Sequence, residues 1–353
     1  MFSVIEIKVA NDAITRFKNN FSANPTTSSM NKLLTIAIPT YNRAELLDRQ
    51  LTWLEKAIKG FESECEIVIS DNCSPDHTQE IIEKWLNKLG NIQVKVNRNS
   101  ENIGVIKNIA YCINAATGKY VWTISDDDKI DANSISYLSD VLSTEANLSL
   151  VILNFSCRHE VSKELIYQRC FLIVNEEVRL DGKSVFEHCI QENRSGVQLM
   201  SAQIYKTELV QSALQKWPDG LKNLDLQVYL TGFCAIHGNV KISKDVYLEN
   251  AFGASHWMLK PKLLFQMQYT YSPEVDLKLM EIGYSEEFCS RLVLQHFFKN
   301  NWRVFLGALK RWPIMAIATI IPYLSLVCKS ALIIMFPRKR IEAIPESIVS
   351  IGN

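Results

Sequence analysis

The chain has 353 residues and a 47% hydrophobic composition, enough to bury a large core as about two domains or one elaborated domain, which excludes a disordered or fibrous protein. Lys plus Arg and Asp plus Glu both count 38, so the formal net charge is +0 and no global field draws in nucleic acid; any charge-driven binding is local. The nine cysteines are odd in number and never spaced Cys-x-x-Cys, which excludes a disulfide framework and a zinc site and implies reduced thiols in a cytoplasmic protein.

The N-terminus lacks the basic start, apolar core and small-residue cleavage site of a secretion signal, so none is expected. Residues 1–32 read as an extension, ending in a stretch rich in Asn, Ser and Thr. A buried strand follows at Leu34–Ile38, and Leu47, Leu51, Leu54 and Ile58 then share one helical face. The unit repeats with a strand at Cys65–Ser70 and a helical stripe through Ile81, Ile82, Trp85, Leu86 and Leu89. A third strand at Gln93–Val96 precedes the stripe Ile103, Ile106, Ala110 and Ile113, and Gly118 leads into a fourth strand at Tyr120–Ile124. A helix near Asn133–Ser143 and a strand at Leu148–Phe155 complete the regular part. Between Ser156 and Lys260 only short mixed elements are legible, and after Ser285 the pattern predicts helix through about Lys310. Strands alternating with helices predict a mostly parallel α/β sheet, with ligands beyond the carboxyl ends of its strands.

Three polar clusters fall at those carboxyl ends: Pro39-Thr40-Tyr41-Asn42-Arg43, Asp71 to Asp76, and Ser125-Asp126-Asp127-Asp128. An Asp-rich turn alone is a common cap, but three clusters converging on one sheet edge point to a binding site. Carboxylates approach a nucleotide diphosphate only through a divalent cation, Mg²⁺ or Mn²⁺, which also takes up charge as the diphosphate departs. Along an extended run Asp126 and Asp128 project to the same side.

Together, Ile38 to Arg43, Ser70 to Asp76, Asn102-Ile-Gly-Val-Ile-Lys-Asn108 and Ser125 to Asp128 resemble the motifs of the family-2 glycosyltransferases over roughly Leu33 to Asn154. The resemblance, nearest to bacterial O-antigen and capsule sugar transferases such as abequosyltransferase-like proteins, implies the GT-A nucleotide-diphospho-sugar transferase fold. It divides the chain into a nucleotide-sugar-binding half at 33–155, an acceptor-binding half at 156–280 and a helical C-terminal region at 281–353. It further implies that Pro39, Thr40, Tyr41, Asn42 and Arg43 pack around the nucleotide, that Asp71 bonds the base or ribose, and that Asn102, Gly104 and Asn108 lie against the donor. Turn or helix capping is the alternative for Asp71 and Asn102. Ser125 stands where the family often has its first Asp, which favours Asp128 as principal metal ligand and leaves Asp126 as a second candidate ligand, with Asp126 or Asp127 touching the sugar or metal-bound water. An inverting member needs a later carboxylate as general base, for which Asp225 is the nearest match and Asp219 the second, although the Glu that often precedes it is missing. By order along the chain, His256 is the candidate for a histidine on the metal.

Trp312 to Cys328 is 17 residues without charge, interrupted by Pro313 and Pro322, and a second apolar run follows Lys329 to Phe336. With Lys310 and Arg311 before it and Arg338, Lys339 and Arg340 after, an interfacial or re-entrant hairpin on the inner face of the cell membrane is expected, a buried core helix being the alternative. The expected acceptor is then a glycan on a polyprenyl diphosphate. A nucleotidyltransferase making a nucleotide-sugar is the enzymatic alternative, against which stands the absence of glycine in Pro39 to Arg43. A nucleotide-sugar-binding assembly protein without turnover is the third.

Overall fold

A computed structural model describes residues 32–145, 147–173, 178–253 and 260–336. The first half alternates strand and helix: β1 (Leu34–Thr40), α1 (Ala44–Ala57), β2 (Cys65–Asp71), α2 (Thr78–Lys88), β3 (Gln93–Arg98), α3 (Val105–Ala115) and β4 (Tyr120–Thr123). Then follow β5 (Lys129–Ile130), α4 (Ser134–Thr144), β6 (Leu148–His159), β7 (Leu165–Tyr167), β8 (Val178–Arg179), α5 (Gly182–Glu192), α6 (Arg194–Gln198), β9 (Gln203–Lys206), α7 (Thr207–Lys216), α8 (Leu226–Ile236) and β10 (Asn239–Phe252). The main sheet path is β3-β2-β1-β4-β9-β6-β10-β5, with β7 on β6 and β8 on β10. β1, β2, β3 and β4 run parallel, whereas β9 is antiparallel to both β4 and β6.

The period of two along β1 divides the interior. Ile36 and Ile38 pack with Leu47, Leu51 and Leu54 of α1 and with Trp85 of α2, while Ala37 faces the opposite core of Ala110, Ile113 and α8. Both faces are covered, which is why these strands read as continuous apolar runs rather than alternating ones. All nine cysteines are free.

One feature of β1 opens the site. Proline in a central strand forfeits a ladder hydrogen bond, yet Pro39 occupies β1 between β2 and β4. Pairing with β4 ends at Ala37 opposite Thr123, and Ile124 N donates to Ala37 O, so the proline lies past the end of that ladder. The order 3-2-1-4 reverses between β1 and β4, and the gap beyond their paired ends is the crevice where such sheets bind ligands.

After β10 the chain is helical: α9 (Pro261–Gln266), a π-turn at Met267–Tyr271, α10 (Ser272–Glu281), α11 (Glu286–Lys299), α12 (Trp302–Arg311) and α13 (Pro313–Met335). The helix predicted from Ser285 to Lys310 breaks at Asn300 and Asn301. Asn300 turns out of helical conformation to bond Gln268 O and Tyr323 Oη, and Asn301 caps α12 through Arg303 N. The expected apolar hairpin is a single 23-residue helix with Pro322 inside it. Ala316, Ile320, Tyr323 and Val327 of α13 form a third core with Phe265, Tyr269, Val293 and Ala308, and this packing holds the helix through the proline. The predicted 1–32 extension lies, but for its last residue, outside the described residues, as does His256.

Candidate active site

The loop after β1 is held in a form that sequence-neutral residues would resist. Asn42 is left-handed (φ 53°), a conformation asparagine tolerates better than most side chains, and its N–H donates to Ser74 Oγ at 2.8 Å. Asp76 accepts from Ala44 N, at the start of α1, and from Thr78 N in the first turn of α2, so one carboxylate ties the two motif loops together. Tyr41 is left exposed at the crevice rim.

Arg43 extends from this loop to the acidic run. Its Nη1 is 2.7 Å from Asp126 Oδ1 and 3.0 Å from Asp127 Oδ2, and burial notwithstanding, the two carboxylates raise its pKa. Thr40 Oγ1 donates to the other oxygen of Asp126 at 2.9 Å. Ser125 donates its hydroxyl to Asp127 and its N–H to Ser201 Oγ, so the serine that replaces a carboxylate orients its neighbour. Asp126 is thus committed through both oxygens to protein donors.

Asp128 differs. Asn250 Nδ2, from β10, stands 3.4 Å from its Oδ1, while Oδ2 is buried with no hydrogen-bond partner. Burial first, and then the charge of Asp127, push the Asp128 carboxyl up to about 6, against the opposing pull of hydrogen bonding from Ser201 and Asn250. A buried, unpartnered carboxylate oxygen costs free energy unless something arrives to satisfy it. Among the described residues no three His, Cys, Asp or Glu side chains assemble into a closed metal cage. An Asp128-centred site instead matches how Mg²⁺ and Mn²⁺ are held at nucleotides, by one or two carboxylates, substrate phosphates and water.

Beside this run lies a network that sequence reasoning saw only in part. Asn108 Nδ2 donates to Ser70 O, and its Oδ1 accepts from Ser70 Oγ and Asn99 Nδ2. Asn99 Nδ2 also reaches Asn72 Oδ1, Asn97 Nδ2 donates to Asn99 Oδ1, and Asn72 Nδ2 donates to Asn102 Oδ1. Asn102 Oδ1 accepts Gly104 N as well, so it shapes the turn into α3, whose N-cap is Gly104 rather than Asn102. Gly104 has φ 90°, and a Cβ there would meet nothing within 4 Å, so backbone conformation rather than crowding requires the glycine. Asp71 is fully buried and accepts from Ser74 N and Gln79 Nε2, with Arg98 Nε at 3.5 Å. Asn97, Arg98 and Asn99 end β3 on the same sheet edge as the other motifs, a position that could have marked them. Asn250 and Ser201 sit in the half of the chain with weak periodicity and carried no local signal.

The two base candidates are elsewhere engaged. Asp225 stands at the start of α8 with no exposure, and its side chain makes no cap bond: Arg194 donates to its Oδ2 through Nε and Nη2, and Gln198 Nε2 donates to Oδ1 at 2.8 Å. Arg194 Nη1 also pairs with buried Asp276 at 2.8 Å, and His296 Nδ1 lies 3.0 Å from the other oxygen of Asp276. This network pins α6, α8, α10 and α11 together, and no acceptor hydroxyl can touch Asp225 in this conformation. Asp219 is 77% exposed in a short 3₁₀ turn and pairs with Lys222 three residues on, an ordinary surface carboxylate.

Residues 35–184 match the model of Glycosyl transferase family 2. That segment belongs to this family. The abequosyltransferase RfbV of Salmonella typhimurium is 36% identical over 118 residues, 33% of this chain and 35% of that protein. The poly(ribitol-phosphate) beta-N-acetylglucosaminyltransferase TarS of Staphylococcus aureus is 33% identical over 101 residues, 28% of this chain and 17% of that protein. The chain therefore spans at most about a third of the length of these curated relatives in the aligned part. The crystal structure of S. aureus TarS 1-349 in complex with UDP-GlcNAc superposes with a TM-score of 0.61 at 18% identity, covering 84% of this chain and 81% of that one. At that identity the likeness establishes the fold: a GT-A-like mixed sheet flanked by helices.

Proposed function

We propose that this chain is a metal-dependent, inverting glycosyltransferase that moves a sugar from a nucleotide-diphospho-sugar to a hydroxyl of a glycan acceptor carried on a polyprenyl diphosphate, in bacterial surface polysaccharide synthesis. The carrying observation is Asp128: a buried carboxylate with a free oxygen and a raised pKa, set in the crevice between β1 and β4 of a family-2 segment. A divalent cation bound there supplies charge neutralisation for the departing diphosphate. Asp128 would hold it through Oδ2, and Asn250 fixes the carboxylate's rotation through Oδ1. Arg43 balances Asp126 and Asp127, which keeps three adjacent carboxylates from repelling the incoming anion and leaves Asp127, the more exposed of the two, for the sugar or ordered water. Pro39 to Arg43, Asn102 and Gly104 form the wall on which the nucleotide lies, buried Asp71 and Asn108 brace that wall from behind, and exposed Tyr41 offers a ring face to the base. The name of one relative, a GalNAc(5)-diNAcBac-PP-undecaprenol beta-1,3-glucosyltransferase from Campylobacter jejuni, 29% identical over 109 residues, supports a lipid-linked acceptor.

Incubation with candidate nucleotide-sugars, Mn²⁺ and a lipid-linked glycan extract is expected to release a nucleoside diphosphate, or a monophosphate from a monophosphate-linked donor, and chelation to stop it. Release of inorganic diphosphate from a nucleoside triphosphate and a sugar phosphate would instead mark a nucleotidyltransferase. The capture of Asp225 by Arg194 and Gln198 favours one further reading, a donor-binding protein without turnover, whose mark would be donor binding with no product on any acceptor.

A further inference from the structure

Helix α13 is apolar on two sides, and the core accounts for only one. Ala316, Ile320, Tyr323 and Val327 are buried against α11, α12 and the π-turn. Ile314, Ile317, Ile321, Leu324, Leu332 and Met335 are exposed, Ile314 by 85% and Ile321 by 62%. Their spacing of three, four or eight residues sets them in one stripe along the opposite side of the helix. An exposed apolar face of this extent marks an interaction surface rather than a scatter of single residues.

Charge says what kind of surface meets it. From Lys299 to Arg340 the sequence carries eight Lys or Arg and no Asp or Glu, in a chain whose overall balance is neutral. Lys310 and Arg311 are exposed where α12 meets α13, and Lys329 is exposed near the far end of α13. An apolar stripe bracketed by cations complements an anionic bilayer surface, with acyl chains against the stripe and headgroups against the cations.

The packing also fixes the orientation. At 23 residues, α13 is about 34 Å long and could cross a bilayer by length and composition alone. Crossing would take α11 along with it, because Val293 and Ser290 of α11 lie against the helix and Asn300 donates to Tyr323 Oη. Helix α11 carries Glu286, Glu287, Arg291 and Lys299, of which only Arg291 and Glu287 pair with each other, and carrying four such charged groups into hydrocarbon is costly.

We propose that α13 lies flat in the headgroup layer of an anionic membrane, its Ile314 to Met335 stripe in the acyl boundary and its other side holding the catalytic domain. This deepens the proposed function by naming the membrane contact of an enzyme with a lipid-linked acceptor, and it rests on that reading only for its biological purpose. The test is sedimentation of the full chain with vesicles of phosphatidylcholine alone or with phosphatidylglycerol added, beside the variant Ile317→Glu/Ile321→Glu/Leu324→Glu. Wild type is expected to bind the anionic vesicles, to be released by alkaline carbonate, and to lose more than about tenfold in partitioning in the variant. All three positions are exposed, so an unchanged melting curve and unchanged Mn²⁺-dependent donor hydrolysis show that the variant is folded, and these readouts also separate failure of the docking surface from failure of the enzymatic reading. Wild type remaining in the supernatant, equal sedimentation of the variant, or carbonate-resistant binding would overturn the proposal. A concentration-dependent dimer that the variant abolishes, with no vesicle binding, would assign the face to a second copy of this chain and overturn it equally.

Discussion

Asp128→Asn is expected to make the ligand-free protein more stable while abolishing its response to metal and donor. The Asp128 carboxyl, pushed by burial to about 6 from an ordinary 3.8, binds its proton more tightly in the folded than in the unfolded chain. Stability therefore falls as pH rises from about 4 to 6, and above that the ionised group imposes a penalty of about 3 kcal/mol, which the neutral amide removes. Thermal unfolding at pH 7 should show the variant melting several degrees higher, with the difference vanishing near pH 4. A variant less stable than wild type at pH 7, or a gap that grows on acidification, would show that the buried oxygen is satisfied within the protein. A site that is unstable until occupied is the usual cost of preorganisation for a ligand.

Arg194→Met is expected to have the largest destabilising effect of any single substitution around the site. Burial works against ionising Asp276, yet Arg194 and His296 hold its carboxyl below the usual range, and Asp225 depends on the same guanidinium. Removing the arginine leaves two carboxylates of 0% exposure without their cation, a loss of about 4 kcal/mol in urea unfolding. Adding Asp225→Asn and Asp276→Asn should recover part of it, because the penalty lies in the stranded charges. Asp225→Asn alone separates the two roles of that residue: the structure predicts lost stability with turnover retained, whereas a general base would lose turnover with stability unchanged. A change below about 1 kcal/mol for Arg194→Met would mean that water reaches the network.

Much of residues 33–155 is legible because the signals there are local. Leu34, Ile36 and Ile38 in β1, and Leu47, Leu51 and Leu54 on α1, give period and length directly, and the three polar clusters sit where parallel topology sends ligands. The partners that give each residue its role were not legible. Thr40 meets Asp126 across 86 positions and Asn250 meets Asp128 across 122, contacts set by sheet order rather than by any pattern near either residue. The break at Asn300 depends on Tyr323 and Gln268, and the persistence of α13 through Pro322 depends on the third core, so tertiary packing overrode local preference in both directions. Asp225 stands at the start of a helix, but the arginine that buries it comes from α6, a helix of five residues that carries no periodic signal.

The account rests on Asp128 meeting a donor through a divalent cation, and one measurement bears on that most directly: the thermal shift of wild type and Asp128→Asn with a panel of nucleoside diphosphates, with Mn²⁺ or with chelator. A ligand that binds only the folded chain at 100 times its dissociation constant adds about 2.7 kcal/mol. The prediction is a clear rise in melting temperature for at least one nucleotide in wild type with Mn²⁺, lost on chelation and lost in Asp128→Asn. An equal rise in the variant, or in wild type under excess chelator, would contradict the account.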